Sequence, residues 1–319
     1  MTPSRPVDRA MQEDRQEKQA MRQLWVETVQ QVGHAQSPPA LYLTLPGADG
    51  RDIQKLVDDN VLRLTESGAV HDDDKGKVLA VESSPEAVLQ LQRRFPGLRI
   101  LEGPIHSLVR GEDPTVWPQG SDREHCRARV INLDLNSSLT GRIRQGQLRF
   151  PILDWISKLA QLHAATPHVE WHLLLTLHAQ IEWSSHVNAR VRAFLADNID
   201  REHVYGEACR ELLGDELWTR ITERRTIDFS ALSRRDQQHV LMAFVPKKIS
   251  QLVHPQGWRV MTTRNLRYGG QSGRAPMVTW IIRFVWDTQA SDQPDVVYNA
   301  SLRAVLAEVG KVEEDGSIS

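Results

Sequence analysis

Five short apolar segments, each followed by turn residues and a charged segment, constrain this chain more than any other feature. They fall at residues 40–45, 77–81, 98–101, 129–133 and 169–177. Alternation of strands and helices predicts a parallel sheet that carries helices on both faces. Two longer β-like runs, at 258–268 and 277–286, follow a helical and charged stretch, and a glycine-rich connection typical of a hairpin joins them. We therefore expect an α/β protein whose mostly parallel sheet ends in an antiparallel β-hairpin.

The same patterns divide the chain into regions. We expect an N-terminal helical extension at 1–36, a core built from 37–183 and 255–310, a helical insertion at 184–254 and a disordered tail at 311–319. A last helix is predicted at about 296–309. The helical stretch at 7–32 is mostly polar in its first half, so we expect it to be solvated there and to dock through Leu24, Trp25 and Val29.

Composition excludes several classes of protein. Hydrophobic residues make up 40% and charged residues 25% of the 319 residues, which is ordinary for a globular chain. No apolar run reaches the roughly 20 residues that cross a bilayer, and residues 1–31 lack the apolar stretch of a signal peptide. Cys126 and Cys209 form no metal-like pair, so we expect free thiols and a cytoplasmic location. The net charge of −2 provides no global attraction to nucleic acid.

A glycine-containing loop follows the first predicted strand. It reads Thr-Leu-Pro-Gly-Ala-Asp-Gly and contains Gly47, Asp49 and Gly50. Glycine at such a place allows the backbone to approach a ligand without a Cβ clash. The loop is a candidate cofactor loop, and the alternative is an ordinary strand-to-helix turn.

Two acidic residues end the next two predicted strands. Glu82 ends Val-Leu-Ala-Val-Glu, where a carboxylate can accept hydrogen bonds from both hydroxyls of a ribose. Its alternative role is to cap the helix that begins at Pro85, for which Ser84 also offers a hydroxyl cap. Glu102 follows the third strand as a candidate ligand contact, with a solvated loop carboxylate as the alternative.

The strand order and these motifs resemble the class I S-adenosylmethionine-dependent methyltransferases over residues 40–180 and 255–287. In that Rossmann-like family the last strand inserts antiparallel beside the sixth, whereas classical dinucleotide dehydrogenases lack the hairpin. The resemblance implies that S-adenosylmethionine is the cofactor, bound by the Gly47–Gly50 loop, with Glu82 on the ribose and Glu102 beside the adenine. The acidic residue that the family places near Thr44 is absent, and the glycine spacing is irregular.

The resemblance places catalytic residues just after the fourth strand. This segment contains Asp134, which is expected to act as a base or to bind the amino group of the cofactor; a loop-capping aspartate is the alternative. The two prolines and the aromatic of enzymes acting on exocyclic amines are missing. Cys126 precedes the strand and does not fit the thiol of a cytosine C5 enzyme.

Three functional hypotheses stay open at this point. The first is an active S-adenosylmethionine-dependent methyltransferase. The second is a catalytically inactive, methyltransferase-like subunit with a nucleic-acid or protein partner, of the kind found in bacterial defence or DNA-modification systems. The third is another nucleotide, such as NAD, in the same cleft, against which the terminal hairpin argues.

Basic residues and histidines are further candidates for binding roles. The basic residues near the end of the chain favour nucleic acid, although half-exposed strands show the same pattern; they are Lys247, Lys248, Arg264, Arg267, Arg274 and Arg283. The histidines at 163, 168, 172 and 178 match no zinc spacing, so no metal is expected. Of these, His178 is best placed to line a cleft, and a structural role is the alternative.

Overall fold

The protein is described by a computed structural model that covers residues 16–33, 41–105, 128–139, 150–164, 169–179, 183–223, 227–269, 276–287 and 309–319. Its helices are α1 (Gln16–Gly33), α2 (Arg51–Asp58), α3 (Pro85–Arg94), α4 (Pro151–Ala164), α5 (Ser185–Arg201), α6 (His203–Thr222) and α7 (Arg234–Val253). Its strands are β1 (Tyr42–Thr44), β2 (Val78–Glu82), β3 (Arg99–Glu102), β4 (Val130–Ser138), β5 (Trp171–His178), β6 (Trp258–Tyr268), β7 (Met277–Trp286) and β8 (Gly310–Lys311). Short 3₁₀ turns occur at Asp72–Asp74, Phe229–Ala231 and His254–Gln256.

The strands form one sheet in the order β3-β2-β1-β4-β5-β7-β6-β8. Neighbouring strands from β3 through β5 are parallel. Strand β7 lies between β5 and β6 and is antiparallel to both, and β8 adds to β6 in parallel. The predicted α/β, Rossmann-like fold class with its C-terminal antiparallel hairpin is therefore confirmed.

Local sequence explains why α3 begins where it does. The Ser84 hydroxyl accepts a hydrogen bond from the backbone N–H of Ala87, and Pro85 fills the first helical turn. Proline is tolerated there because its missing N–H would have no intrahelical partner. The hydroxyl cap predicted from the sequence is present.

Helices cover both faces of the sheet. Helices α1 to α3 pack on one face, where Trp25, Ile53 and Leu91 join strand residues such as Tyr42 and Val130 in a buried cluster. Helices α4 to α7 pack on the other face, where the cluster contains Ile156, Val191, Leu241, Leu173 and Trp280. The helices between 185 and 253 thus share a core with the sheet, and the division of the chain into core and insertion stays a prediction.

Helix α1 docks along all of its described length. Trp25 and Val29 are buried as expected, and Leu24 is partly buried. Met21 and Glu17, nearer the start of the helix, are buried as well. Most of the half that is predicted to be solvated, residues 7–15, lies outside the described residues; at its described end Gln16 and Gln19 are exposed and Glu17 is buried.

The chain end forms ordered structure where the sequence predicts a disordered tail at 311–319. Strand β8 pairs with β6, and the Lys311 N–H donates to the Ser319 carbonyl at 2.7 Å. Val312 is only 1% exposed and its N–H donates to the Arg267 carbonyl. Pairing with β8 satisfies backbone N–H and C=O groups along β6. The polar composition of the tail does not reveal this pairing. Residues 270–275 and 288–308, which contain the glycine-rich connection and most of the predicted last helix, lie outside the described residues.

Candidate functional site

The loop after β1 joins two glycines with different surroundings. Gly47 has φ +62°, and a Cβ added there would meet no atom within 4 Å. Gly50 has φ +55°, and its added Cβ would lie 2.7 Å from Leu91 Cδ2 and 2.8 Å from Phe95 Cε2. Gly50 is therefore required for the close packing of this loop on α3, whereas Gly47 faces open space.

Asp49 lies between these glycines and is engaged locally. Its carboxylate contacts Arg51 at 3.4 Å, and its backbone carbonyl accepts a hydrogen bond from the Arg94 guanidinium. Both interactions stay within the loop and the two helices beside it. Asp49 thus contributes to the shape of the loop, and its predicted cofactor contact remains untested.

Glu82 and Glu102 lie side by side at the carboxyl ends of β2 and β3, where they are register partners. The Glu82 Oε1 atom accepts hydrogen bonds from the backbone N–H groups of Ser83 and Ser84, at 2.8 and 3.0 Å. Glu82 Oε2 has no hydrogen-bond partner among the described residues, and Glu102 is exposed. Glu82 therefore does cap the turn before α3, and one carboxylate oxygen remains for a ligand.

Asp134 sits in β4 two residues beyond the point where β1 stops pairing with it. The Lys18 ammonium of α1 forms an ion pair with Asp134 Oδ2 at 2.5 Å and lies 3.5 Å from the Tyr268 hydroxyl. Asp134 Oδ1 is buried and accepts no hydrogen bond from the described residues. Burial alone would lower the pKa of Lys18, but Asp134 and Tyr268 outweigh it and the net shift is upward. Lys18 is therefore a fixed cation at this carboxylate.

A second buried carboxylate stands beside this pair. Asp52, at the start of α2, accepts a hydrogen bond from Arg22 Nε at 2.9 Å and one from the Thr44 hydroxyl at 3.4 Å. Burial raises the pKa of Asp52, and repulsion from Asp134 raises it further against the opposing effect of Arg22. Asp52, Arg22 and Lys18 are not among the predicted site residues, because the contact between α1 and α2 becomes apparent only when the helices are packed on the sheet. The available sequence signal is the pair of cations near the start of α1.

His178 completes the cluster, as its place at the end of β5 predicted. It pairs in register with Ser138 of β4, and its Nε2 atom is buried without a hydrogen bond from the described residues. Burial lowers the pKa of His178, and the nearby Asp134 carboxylate opposes that shift. A neutral imidazole can accept a proton from a bound group, so His178 and the Asp134 carboxylate are two groups of this cluster that are capable of acid–base chemistry.

The other histidines serve elsewhere. His163 is buried, stacks on Trp171 with ring centroids 4.5 Å apart, and contacts the carbonyls of Leu159 and Ala128. His172 lies near the opposite end of β5, and His168 falls outside the described residues. Among the residues described, no group of three or more metal-ligating side chains was found. No helix in the described segments is long and apolar enough to cross a bilayer.

The basic residues singled out in the sequence do not share one face. Lys247 is fully buried and forms an ion pair with Glu202 at 2.5 Å. Arg264 and Arg283 face α1, whereas Arg267 lies near Arg235 at the start of α7, on the other side of the sheet. Arg274 falls outside the described residues. Arg264 and Arg283 thus share the side that faces α1, whereas Lys247 and Arg267 lie elsewhere.

Comparisons with known proteins add little to this geometry. No protein-family model and no curated protein matches the chain. Ten solved chains do match it. One, described as "Conversion of a Disulfide Bond into a Thioacetal Group during Echinomycin Biosynthesis", is 15% identical, covers 86% of this chain and 85% of its own, and has a TM-score of 0.31. The fold assignment therefore rests on the sheet order itself.

Proposed function

We propose that the protein binds S-adenosylmethionine at the carboxyl ends of β1 to β3 and is a methyltransferase-like protein. The observation that carries this proposal is Glu82 Oε2, which has no hydrogen-bond partner within the described part of the chain and lies at the end of the strand beside β1. In open α/β sheets, ligands bind outside the carboxyl ends of the strands where the strand order reverses. Here that point is β1, whose neighbours are β2 and β4.

The residues present fit the nucleoside part of this cofactor. Gly47 leaves open space where the backbone would approach the ligand. The Glu82 carboxylate can accept the hydroxyls of a ribose through Oε2 while Oε1 keeps its two backbone donors. Glu102, exposed on the next strand, would border the adenine. Gly50 and Asp49 would shape the loop from behind.

Two activities follow from this binding site. S-adenosylmethionine supplies an electrophilic methyl group when bound, and Asp134 is the residue we propose near the acceptor, as base or as ligand of the cofactor's amino group. The second candidate is a non-catalytic binding subunit. It is favoured by the Lys18–Asp134 ion pair, which occupies one oxygen of that carboxylate and places α1 against it. A nucleic-acid or protein partner stays part of this second hypothesis.

The test is calorimetric titration of the full chain with S-adenosylmethionine, beside Glu82→Gln. Glutamine keeps an oxygen for the two backbone donors but replaces the Oε2 acceptor with an amide, so the turn is preserved while the charged acceptor for the ribose hydroxyls is removed. Loss of hydrogen bonds to a charged group costs about 1.5–3 kcal/mol, which weakens binding by about ten-fold or more. Glu66→Gln, which changes an exposed carboxylate in a distant turn, is the matched control.

The outcomes separate the hypotheses. Binding that weakens in Glu82→Gln and is unchanged in Glu66→Gln supports the proposal, and a methyl-transfer assay then separates the enzyme from the binding subunit. Tighter binding of NAD than of S-adenosylmethionine would favour the third hypothesis. If neither S-adenosylmethionine nor NAD binds to the folded protein, the proposed cofactor site is wrong.

A further inference from the structure

A cavity of about 500 Å³ opens at the other ends of the central strands from the proposed cofactor site. It lies between the second half of α1 and the amino ends of β4 and β5. Its charged and polar wall is formed by Arg129, Glu170, His172, Arg264 and Arg283. His172 and His178 lie six residues apart on β5, so the cavity and the strand-end cluster are separated by about 20 Å. A volume of this size is typical of a small-molecule site.

The arginines that line this cavity differ in whether a carboxylate of the protein pairs with them. Arg283 donates two hydrogen bonds to Glu170, from Nε at 2.6 Å and from a terminal nitrogen at 2.7 Å. In this bidentate pair both oxygens of the Glu170 carboxylate are engaged by Arg283. Arg129 Nε is buried and lacks a hydrogen-bond acceptor among the described residues. Arg264 is exposed and forms no ion pair within the described part of the chain.

The buried Nε of Arg129 would be stabilised by a hydrogen-bond acceptor on a ligand in the cavity. Leaving a buried polar group unsatisfied costs about 1–3 kcal/mol, and more for a charged one. Guanidinium groups bind phosphate or carboxylate in matching geometry. His172 contributes no competing charge at neutral pH, because burial lowers its pKa to about 4. Its Nδ1 atom is also buried without a partner from the described residues.

The α1 wall has a different character. Glu27 faces the cavity with one carboxylate oxygen engaged by Gln23, and Gln31 is exposed beside it. This wall also lies near the carboxyl end of α1, where the helix dipole is negative. A ligand that fills the cavity must therefore offer an anion to the arginines and hydroxyl donors to α1.

We propose that this cavity binds a small phosphate-bearing polyhydroxyl compound, with its phosphate at Arg129 and Arg264 and its hydroxyls at Glu27 and Gln31. The inference does not rest on the proposed cofactor function, because the two sites share no residue. It assigns a separate small-molecule site to the side of the sheet that faces α1.

The test is titration of the full chain with ribose 5-phosphate at constant ionic strength, with inorganic phosphate and ribose as partial ligands. Ribose 5-phosphate should bind saturably, inorganic phosphate more weakly, and ribose not at all. Arg129→Gln and Arg264→Gln should each weaken binding about ten-fold or more, since each removes a charge-assisted contact. Arg93→Gln, an exposed arginine on α3, should leave it unchanged.

Each contrary result overturns the proposal. No saturable heat up to about 10 mM ribose 5-phosphate would show that the cavity takes no such ligand. An equal effect of Arg93→Gln would show that the binding depends on the overall charge of the protein and not on this cavity. Competition by S-adenosylmethionine would place the probe in the strand-end cleft instead. If Arg129→Gln fails to fold, Arg264→Gln decides, because Arg264 is exposed and its replacement disturbs no buried contact.

Discussion

Replacing Lys18 with methionine isolates the contact that joins α1 to the centre of the sheet. Methionine keeps an apolar stem of similar length but removes the ammonium that pairs with Asp134 Oδ2. The same ammonium lies 5.1 Å from the centroid of the Trp25 ring, within cation–π range. The variant therefore leaves Asp134 as a mostly buried carboxylate without its cation.

The expected cost follows from the exposure of the pair. Removing one partner of a fully buried ion pair costs about 3–5 kcal/mol, whereas exposed pairs contribute about 0–1 kcal/mol. The Lys18 and Asp134 side chains are 23% and 15% exposed, which places this pair between those limits. We expect Lys18→Met to lower the free energy of unfolding by about 2 kcal/mol.

Urea unfolding followed by circular dichroism measures this change. A double-mutant cycle with Asp134→Asn should give a coupling energy of at least about 1 kcal/mol, since the double variant no longer buries an unpaired carboxylate. Lys75→Met is the control for a solvent-exposed pair: Lys75 and its partner Asp72 are 57% and 86% exposed, so its loss of stability should be smaller than that of Lys18→Met. A loss in Lys18→Met no greater than that in Lys75→Met, or additive effects of the two single changes in the cycle, would contradict this expectation.

Two further predictions concern the loop and the second cavity. Gly50→Ala should destabilise the fold more than Gly68→Ala: both glycines have positive φ, but only at Gly50 would the new Cβ clash with α3, and overpacking adds about 1–3 kcal/mol; equal costs in urea unfolding would contradict this. Because burial lowers the pKa of His172 to about 4 from 6.5, the unfolded state binds more protons between those values, and stability falls as pH drops through that window. His172→Gln should therefore reduce the loss of stability between pH 7 and pH 5 by up to about 2 kcal/mol; an unchanged pH slope would count against the shift.

The candidate site shows why a helix of ordinary composition can matter for chemistry. The start of α1 brings Lys18 and Arg22 to two carboxylates, Asp134 and Asp52, that lie on different elements. Like charges this close disfavour joint ionisation, and the two cations offset that repulsion. Docking of α1 thus supplies the two cations that stabilise the ionised forms of these carboxylates.

Local signals predicted the elements near the proposed cofactor site well. The strand ending at Glu82 and the helix beginning at Pro85 occur where expected, since apolar runs, a hydroxyl cap and proline act over a few residues. Glu82 caps the turn before α3 through Oε1, and its contact with a ribose stays a prediction. Asp134 was placed after the fourth strand, but β4 extends through Ser138, so Asp134 lies within the strand. Pairing with β5 causes this extension.

Local sequence patterns are sufficient to predict the alternation of strands and helices, the two terminal antiparallel strands, and the positions of Glu82 and Glu102 at their strand ends. These features depend on hydrogen bonding and side-chain periodicity within one segment. Packing of distant segments is what brings Lys18 to Asp134 across 116 positions, buries Lys247 with Glu202, and places Arg129 beside a cavity. Such contacts depend on which faces of the helices and the sheet pack together. The charge of a side chain does not by itself indicate which distant residue it will contact in the folded protein.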